Sequence, residues 1–190
     1  MEKFSHKVGK AVEIIKKGGV IAAPTDTVFG LLANAKDRKA VKRVFKIKKR
    51  SFTKPIPLFV KSIEQAKNYA IINKEQKDFL KEKWPGRTTV VFKAKKNKLP
   101  DILFKKSNTI GLRIPDSDLI KKLFKNLNFP LTATSANISG ENPARTKKQA
   151  KKHFQEEEHK PDLILKGSCF KTKPSTVIDY TSSKIKIIRN

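Results

Sequence analysis

Cysteine is nearly missing: 190 residues contain one thiol, Cys169. A lone cysteine excludes an internal disulfide, and its apolar and basic neighbours offer it no catalytic partner. Histidine is almost as scarce. His6, His153 and His159 all lie in polar segments, so a Ser–His–acid arrangement has no starting point. His153 and His159 bracket a glutamate-rich stretch but lack the H-E-x-x-H spacing of a zinc site. Neither G-x-x-x-x-G-K-[ST] nor G-x-G-x-x-G occurs, which removes P-loop and Rossmann nucleotide binding. Long apolar runs are absent too: Val20–Ala23 is far too short to cross a bilayer. MEKFSHKVGK at the start lacks the apolar core of a signal peptide, so a cytoplasmic protein without a membrane partner is expected.

Negative charge is the largest deficit. Asp and Glu number 17 against 44 Lys and Arg, for a formal net charge of +27. Such an excess suits an RNA, DNA or polyphosphate partner, because each phosphate contact releases counterions. It suits a lysine-rich composition equally well, since 37 of those cations are lysines spread over nearly every predicted helix. The scarce arginines discriminate better, because a planar two-pronged donor is hard to replace at an anion. Arg50, Arg113 and Arg189 each follow an apolar or motif-like segment. Arg38, Arg43, Arg87 and Arg145 show that arginine alone marks nothing.

At this length the chain can bury a real core, and its pattern is that of one α/β domain over residues 1–190. Phe4, Val8, Ala11, Val12 and Ile15 recur at helical spacing until Gly18-Gly19 ends the helix. Val20–Ala23 reads as a buried strand closed by Pro24. Asp37 can cap a helix whose inner stripe is Ala40, Val41, Val44, Phe45 and Ile47. Strands follow over 56–60, 88–94, 108–114, 130–134, 163–165, 176–180 and 185–189. Ser62 with Gln65, Asn73 with Gln76, Asp116 and Thr146 mark the remaining helix starts. The last two strands are joined by so short a link that they must pair antiparallel, so a twisted mixed sheet flanked by helices is expected.

Four constellations carry possible chemistry. In Pro24–Val60, Thr25 and Thr27 follow a strand and Gly30 permits close backbone approach. Lys48, Arg50 and Lys54 leave the end of the next helix. Together they make an anion pocket, or else only a polar turn and a basic helix end. In TIGLRIP (109–115), Arg113 sits in an apolar strand and needs a counter-anion. That anion is a ligand beside Gly111, or a core carboxylate such as Asp116 or Asp179. The run Thr132–Gly140 holds small and hydroxyl residues after a strand, which a phosphate or ribose can use as readily as a turn can. Lys173–Asp179 places Ser175 and Thr176 at a strand start. Hydroxyls, amides and cations of this kind catalyse by positioning and charge stabilisation.

Taken in order, PTDTVFGL (24–31), IKKR (47–50), KPIPLFV (54–60), WPGRTTVV (84–91), TIGLRIP (109–115), TSANISG (134–140), STVID (175–179) and IIR (187–189) resemble the YrdC-type threonylcarbamoyl-AMP synthase family. The resemblance covers nearly the whole chain and implies a YrdC-like fold in its short, single-domain form. It implies that L-threonine, bicarbonate and ATP yield threonylcarbamoyl-AMP and pyrophosphate. The product would then serve, through threonylcarbamoyl-transfer proteins, to modify an adenosine of tRNA, and tRNA itself is a candidate partner. Mg2+ is expected with the triphosphate and not from protein side chains. By motif position, Thr27, Phe59, Arg113, Ala133 and Ser175 would meet threonine. Arg50, Lys54, Thr109, Ser135, Pro143 and Arg189 would meet ATP. Lys48 is a further phosphate partner, and Asn137 orders the loop beside it. No general base is implied. Phe29 stands where the family usually has tyrosine, and WPGRTT replaces the usual WPGPLT. A YrdC-like paralogue with another acceptor, and a non-catalytic RNA-binding protein, are the competing readings.

Overall fold

The computed structural model describes residues 2–104, 108–169 and 173–190, and side chains from His6 onward except Lys96. The Phe4 side chain in the expected first stripe is therefore outside the description. The first helix, α1 (Glu2–Lys16), ends as Gly18 turns back with φ 79°. The buried hairpin β1 (Ile21–Ala23) and β2 (Gly30–Leu32) follows, pairing Ala23 with Gly30. Thr25 and Thr27 occupy its turn. Asp37 accepts from the amides of Lys39 and Ala40 and so caps α2 (Arg38–Ile47), whose buried stripe is the expected one. After β3 (Leu58–Phe59), Ser62 caps α3 (Ile63–Lys67), and a complete capping box from Asn73 and Gln76 opens α4 (Lys74–Lys83).

Two long neighbours come next, β4 (Thr88–Lys93) and β5 (Thr109–Arg113), paired antiparallel. Helix α5 (Asp118–Phe124) is capped by Ser117, whose hydroxyl accepts from Ile120 N. Asp116, the expected cap, is one residue too early; its side chain pairs with Lys121 instead. The remaining elements are β6 (Leu131–Thr132), β7 (Thr134–Ser135), α6 (Lys147–Phe154), β8 (Leu163–Ile164), β9 (Thr176–Asp179) and β10 (Lys186–Arg189). As the short link requires, β9 and β10 pair antiparallel.

The mixed pairing is spread over two sheets among the described residues, ordered β7-β2-β1-β8 and β10-β9-β4-β5-β3-β6. Sequence periodicity missed β2 and β7, because three- and two-residue strands are shorter than any repeat that could reveal them. Alternation explains why both faces are covered. Ile21, Ala23 and Leu32 enter a core with α1 and α5, whereas Val20, Ala22 and Leu31 enter a larger one with α2. The sheets meet at Leu131–Ser135, where β6 lies in one and β7 in the other. Thr132 closes this seam: its buried hydroxyl accepts from Ala33 N at 2.9 Å and donates to Leu31 O at 3.0 Å. Ala133 sits between the two short strands, its N–H given to Pro57 O at 2.8 Å.

Candidate functional site

A cavity of about 520 Å³ opens at this seam, walled by the β1–β2 turn, the segment after α2, Pro57 and Phe59, Arg113, residues 133–143, Ser175 and Arg189. Its first wall is the 24–30 turn. Thr25 Oγ1 donates to Val28 O at 2.8 Å and accepts from Thr27 N at 3.1 Å, so the turn is held by its own hydroxyl. That leaves the Thr27 side chain beside Arg113 Nη1 at 3.4 Å.

Arg113 is fixed from several sides. Its Nε donates to Gly86 O at 2.8 Å, and Nη2 donates to the Asp26 carboxylate. Its guanidinium carbon lies 5.6 Å from the centre of the Phe59 ring. Both members of the Asp26–Arg113 pair are buried, with side chains 9% and 4% exposed. Burial pulls the Arg113 pKa down, and the adjacent carboxylate opposes that shift. The counter-anion is thus Asp26, not Asp116 or Asp179, which sequence distance alone left open. Gly111 does not serve a ligand: a Cβ there would come 3.2 Å from that of Pro57, and the residue is not on the cavity wall.

The opposite wall is built on Lys48. Its side chain leaves the end of α2 and is buried, where the resemblance made it a phosphate partner. Nζ donates to Ser135 O at 2.7 Å and Asn137 O at 3.0 Å, with Asn137 Oδ1 at 3.2 Å and Ser135 Oγ at 3.4 Å. Burial, helped by Arg50, pushes its pKa down to about 7. Asn137 completes the brace, donating through Nδ2 to Ile138 O at 2.8 Å and Glu141 O at 2.7 Å. It orders the loop, as expected. Lys48 braces the same loop from the other side and lines the cavity.

Arg50 and Arg189 make the basic end. Arg50 donates to Lys54 O at 3.1 Å and Pro55 O at 2.9 Å, while Arg189 donates to Ser175 O at 2.8 Å. Ser175 Oγ lies 2.9 Å from Thr89 Oγ1. Burial lowers the pKa of both arginines, and Arg189 lowers that of Arg50 further. Lys54, Ser135 and Pro143 line the same cavity, and the hydroxyl oxygen of Ser139, buried on its wall, has no hydrogen-bond partner.

One expected site residue is elsewhere. Thr109 opens β5 opposite Lys93, whereas Arg113 closes that strand at the cavity. Four residues of extended chain separate them by about 13 Å. Sequence reasoning also passed over Asp26 and Gly86, although both lie inside motifs it singled out. Side-chain chemistry could have flagged Asp26; the carbonyl of Gly86 carries no sequence signal. The wall has Glu141 as its carboxylate, and no cluster of three or more His, Cys, Asp and Glu exists among the described residues. Nor is any described helix long and apolar enough to cross a membrane.

Fold and cavity together define a mixed α/β protein with a cleft lined by arginine and lysine where two sheets meet. A family model described as telomere recombination, Sua5/YciO/YrdC, matches residues 13–190, and the chain belongs to that family. A Methanocaldococcus jannaschii protein provisionally named threonylcarbamoyl-AMP synthase is 38% identical over 95% of this chain and 85% of its own length. Pyrococcus abyssi Sua5, solved with L-threonine, superposes with a TM-score of 0.88 at 32% identity over 97% of this chain. The chain spans about half of that longer protein, 54%. Escherichia coli YciO, an uncharacterized protein, superposes with a TM-score of 0.88 at 27% identity over 98% of this chain and 89% of its own.

Proposed function

We propose that the protein is an L-threonylcarbamoyladenylate synthase acting in the cytoplasm. The carrying observation is that one cavity gathers two sets of groups. A fixed Arg113 with Thr27, Phe59 and Ser175 makes one set; Arg50, Lys54 and Arg189 make the other, and Arg189 touches Ser175 where the two meet. The first set suits an amino acid: Arg113 and Ser175 for the carboxylate, Thr27 and the Phe59 ring for the side chain, the Ala133 backbone for the amine. The second suits a triphosphate, with Ser135 and Pro143 beside the nucleoside. A threonine-bound relative at 32% identity supports the first assignment.

The chemistry needs little from acid–base groups. The threonine amine and bicarbonate form a carbamate and release water. A carbamate oxygen then attacks the α-phosphorus of ATP, and the bond to pyrophosphate breaks. The Arg50, Lys54 and Arg189 cations disperse the charge gathering on the leaving pyrophosphate, and the braced 135–141 loop holds the nucleotide in line. Mg2+ would enter on the triphosphate and act on its charge. Threonylcarbamoyl-transfer proteins and tRNA would be the downstream partners. Pyrophosphate release assayed with single-substrate omissions is the direct test: turnover should need threonine, bicarbonate and ATP together.

A second reading has its own support. Escherichia coli YciO, an uncharacterized protein, superposes on this chain as well as Sua5 does, each with a TM-score of 0.88. A YciO-like paralogue with another carbamate acceptor would release pyrophosphate without regard to threonine.

A further inference from the structure

The arginines of the cavity differ in how they are compensated. Arg113 has a carboxylate of its own, and both oxygens of that carboxylate are used. Oδ1 accepts from Arg113 Nη2, and Oδ2 accepts from Asp116 N at 3.1 Å, just beyond the end of β5. Asp26 is thereby clamped to the strand that carries the arginine. By contrast, Arg50 and Arg189 donate to the neutral carbonyls of Lys54, Pro55 and Ser175. No carboxylate pairs with Arg50, Lys54 or Arg189 among the described residues. Arg189 stands within electrostatic reach of both Arg50 and Arg113.

We infer that Asp26 is a positioning and selectivity residue: it holds and neutralises Arg113, so the Arg113 site accepts the single carboxylate of an amino acid and turns away the phosphate chain drawn to the uncompensated Arg50 and Arg189. This deepens the synthase reading and rests on it. A phosphate chain carries several charges and gains most where guanidinium charge is uncompensated. A zwitterionic amino acid gains little from bare charge and more from donors fixed in place. Without Asp26, all three arginines would attract polyanions, and ATP or pyrophosphate would compete for the Arg113 site. Asp26 itself does not line the cavity, so its action runs through Arg113.

Calorimetric titration of the wild-type protein, Asp26→Asn and Asp26→Glu with L-threonine and with pyrophosphate tests this. Asp26→Asn should bind threonine about tenfold more weakly, the scale of one mis-set charge-assisted hydrogen bond. It should also gain competition between pyrophosphate and threonine that the wild-type protein lacks, an effect no general loosening of the fold would produce. Asp26→Glu keeps the charge but shifts the carboxylate, so threonine should weaken while pyrophosphate stays excluded. Wild-type threonine affinity in folded Asp26→Asn, or threonine loss without new competition, overturns the inference. Should Asp26→Asn fail to fold, competition appearing in Asp26→Glu overturns it instead. Failure of the underlying reading looks different: wild-type protein that binds pyrophosphate but no threonine.

Discussion

Lys48 Nζ lies 2.7 Å from the carbonyl oxygen of Ser135, a residue 87 positions further along the chain. Through this contact a helix end and a loop become one wall. The charged ammonium is buried at a cost, and pH should expose it. In the folded protein its pKa is pushed down to about 7 from an ordinary 10.5. Between those values the unfolded chain binds the proton and the folded protein sheds it, so stability rises with pH across that window. The stability of wild type minus that of Lys48→Met, from urea unfolding at several pH values, should therefore climb from pH 7 towards 10. A flat difference would refute the assignment.

Arg113→Ala is not a clean probe of binding. It strands the buried Asp26 carboxylate, and loss of one partner from such a pair costs about 3–5 kcal/mol. Arg113→Lys keeps the charge and removes the fork. It should retain most of the stability while kcat/KM for threonine drops about a hundredfold. Thermal unfolding alongside the pyrophosphate assay separates the two effects.

Lys54 offers the opposite case, since it is exposed, lines the cavity and forms no ion pair among the described residues. Lys54→Ala should leave the unfolding midpoint in urea nearly unchanged and weaken ATP by about ten- to a hundredfold, the worth of a charge-assisted hydrogen bond. The weakening should shrink as salt rises.

Arg50 and Arg189, both on the cavity wall, repel each other, and an anion held near both would relieve that repulsion. Pyrophosphate should accordingly raise the melting temperature of the wild-type protein, and by much less in Arg189→Met. Without ligand, Arg189→Met relieves that repulsion while losing the Ser175 hydrogen bonds, so its melting temperature should stay within a few degrees of wild type.

Thr109→Val should change KM for ATP less than twofold, since Thr109 opens β5 at the end away from the cavity. A tenfold rise would return Thr109 to the site.

The case of Thr109 shows where sequence reading reaches its limit. It shares a motif with Arg113, and motif membership assigned both to the ligand. A strand, however, carries its two ends to different places. Residues whose roles depend on side-chain type within a turn were legible: Thr27, Ser135, Asn137 and Ser175 all arrive at one cavity. Helices were legible where period or cap marked them: α2 shows its buried stripe and its Asp37 cap, and α4 its capping box. What stayed hidden was pairing across distance. Asp26 finds Arg113 over 87 residues, and Lys48 spends its charge on backbone carbonyls that have no sequence signature.

The passage of Leu131–Ser135 from one sheet to the other gives the protein an internal gauge. Five consecutive residues report on both sheets at once, so a deletion or insertion of one residue there would invert which side chains face the cleft. The same arrangement makes occupancy visible from afar. A ligand seated against Ala133 should slow amide hydrogen exchange in β2 and β3 together, although these strands belong to different sheets.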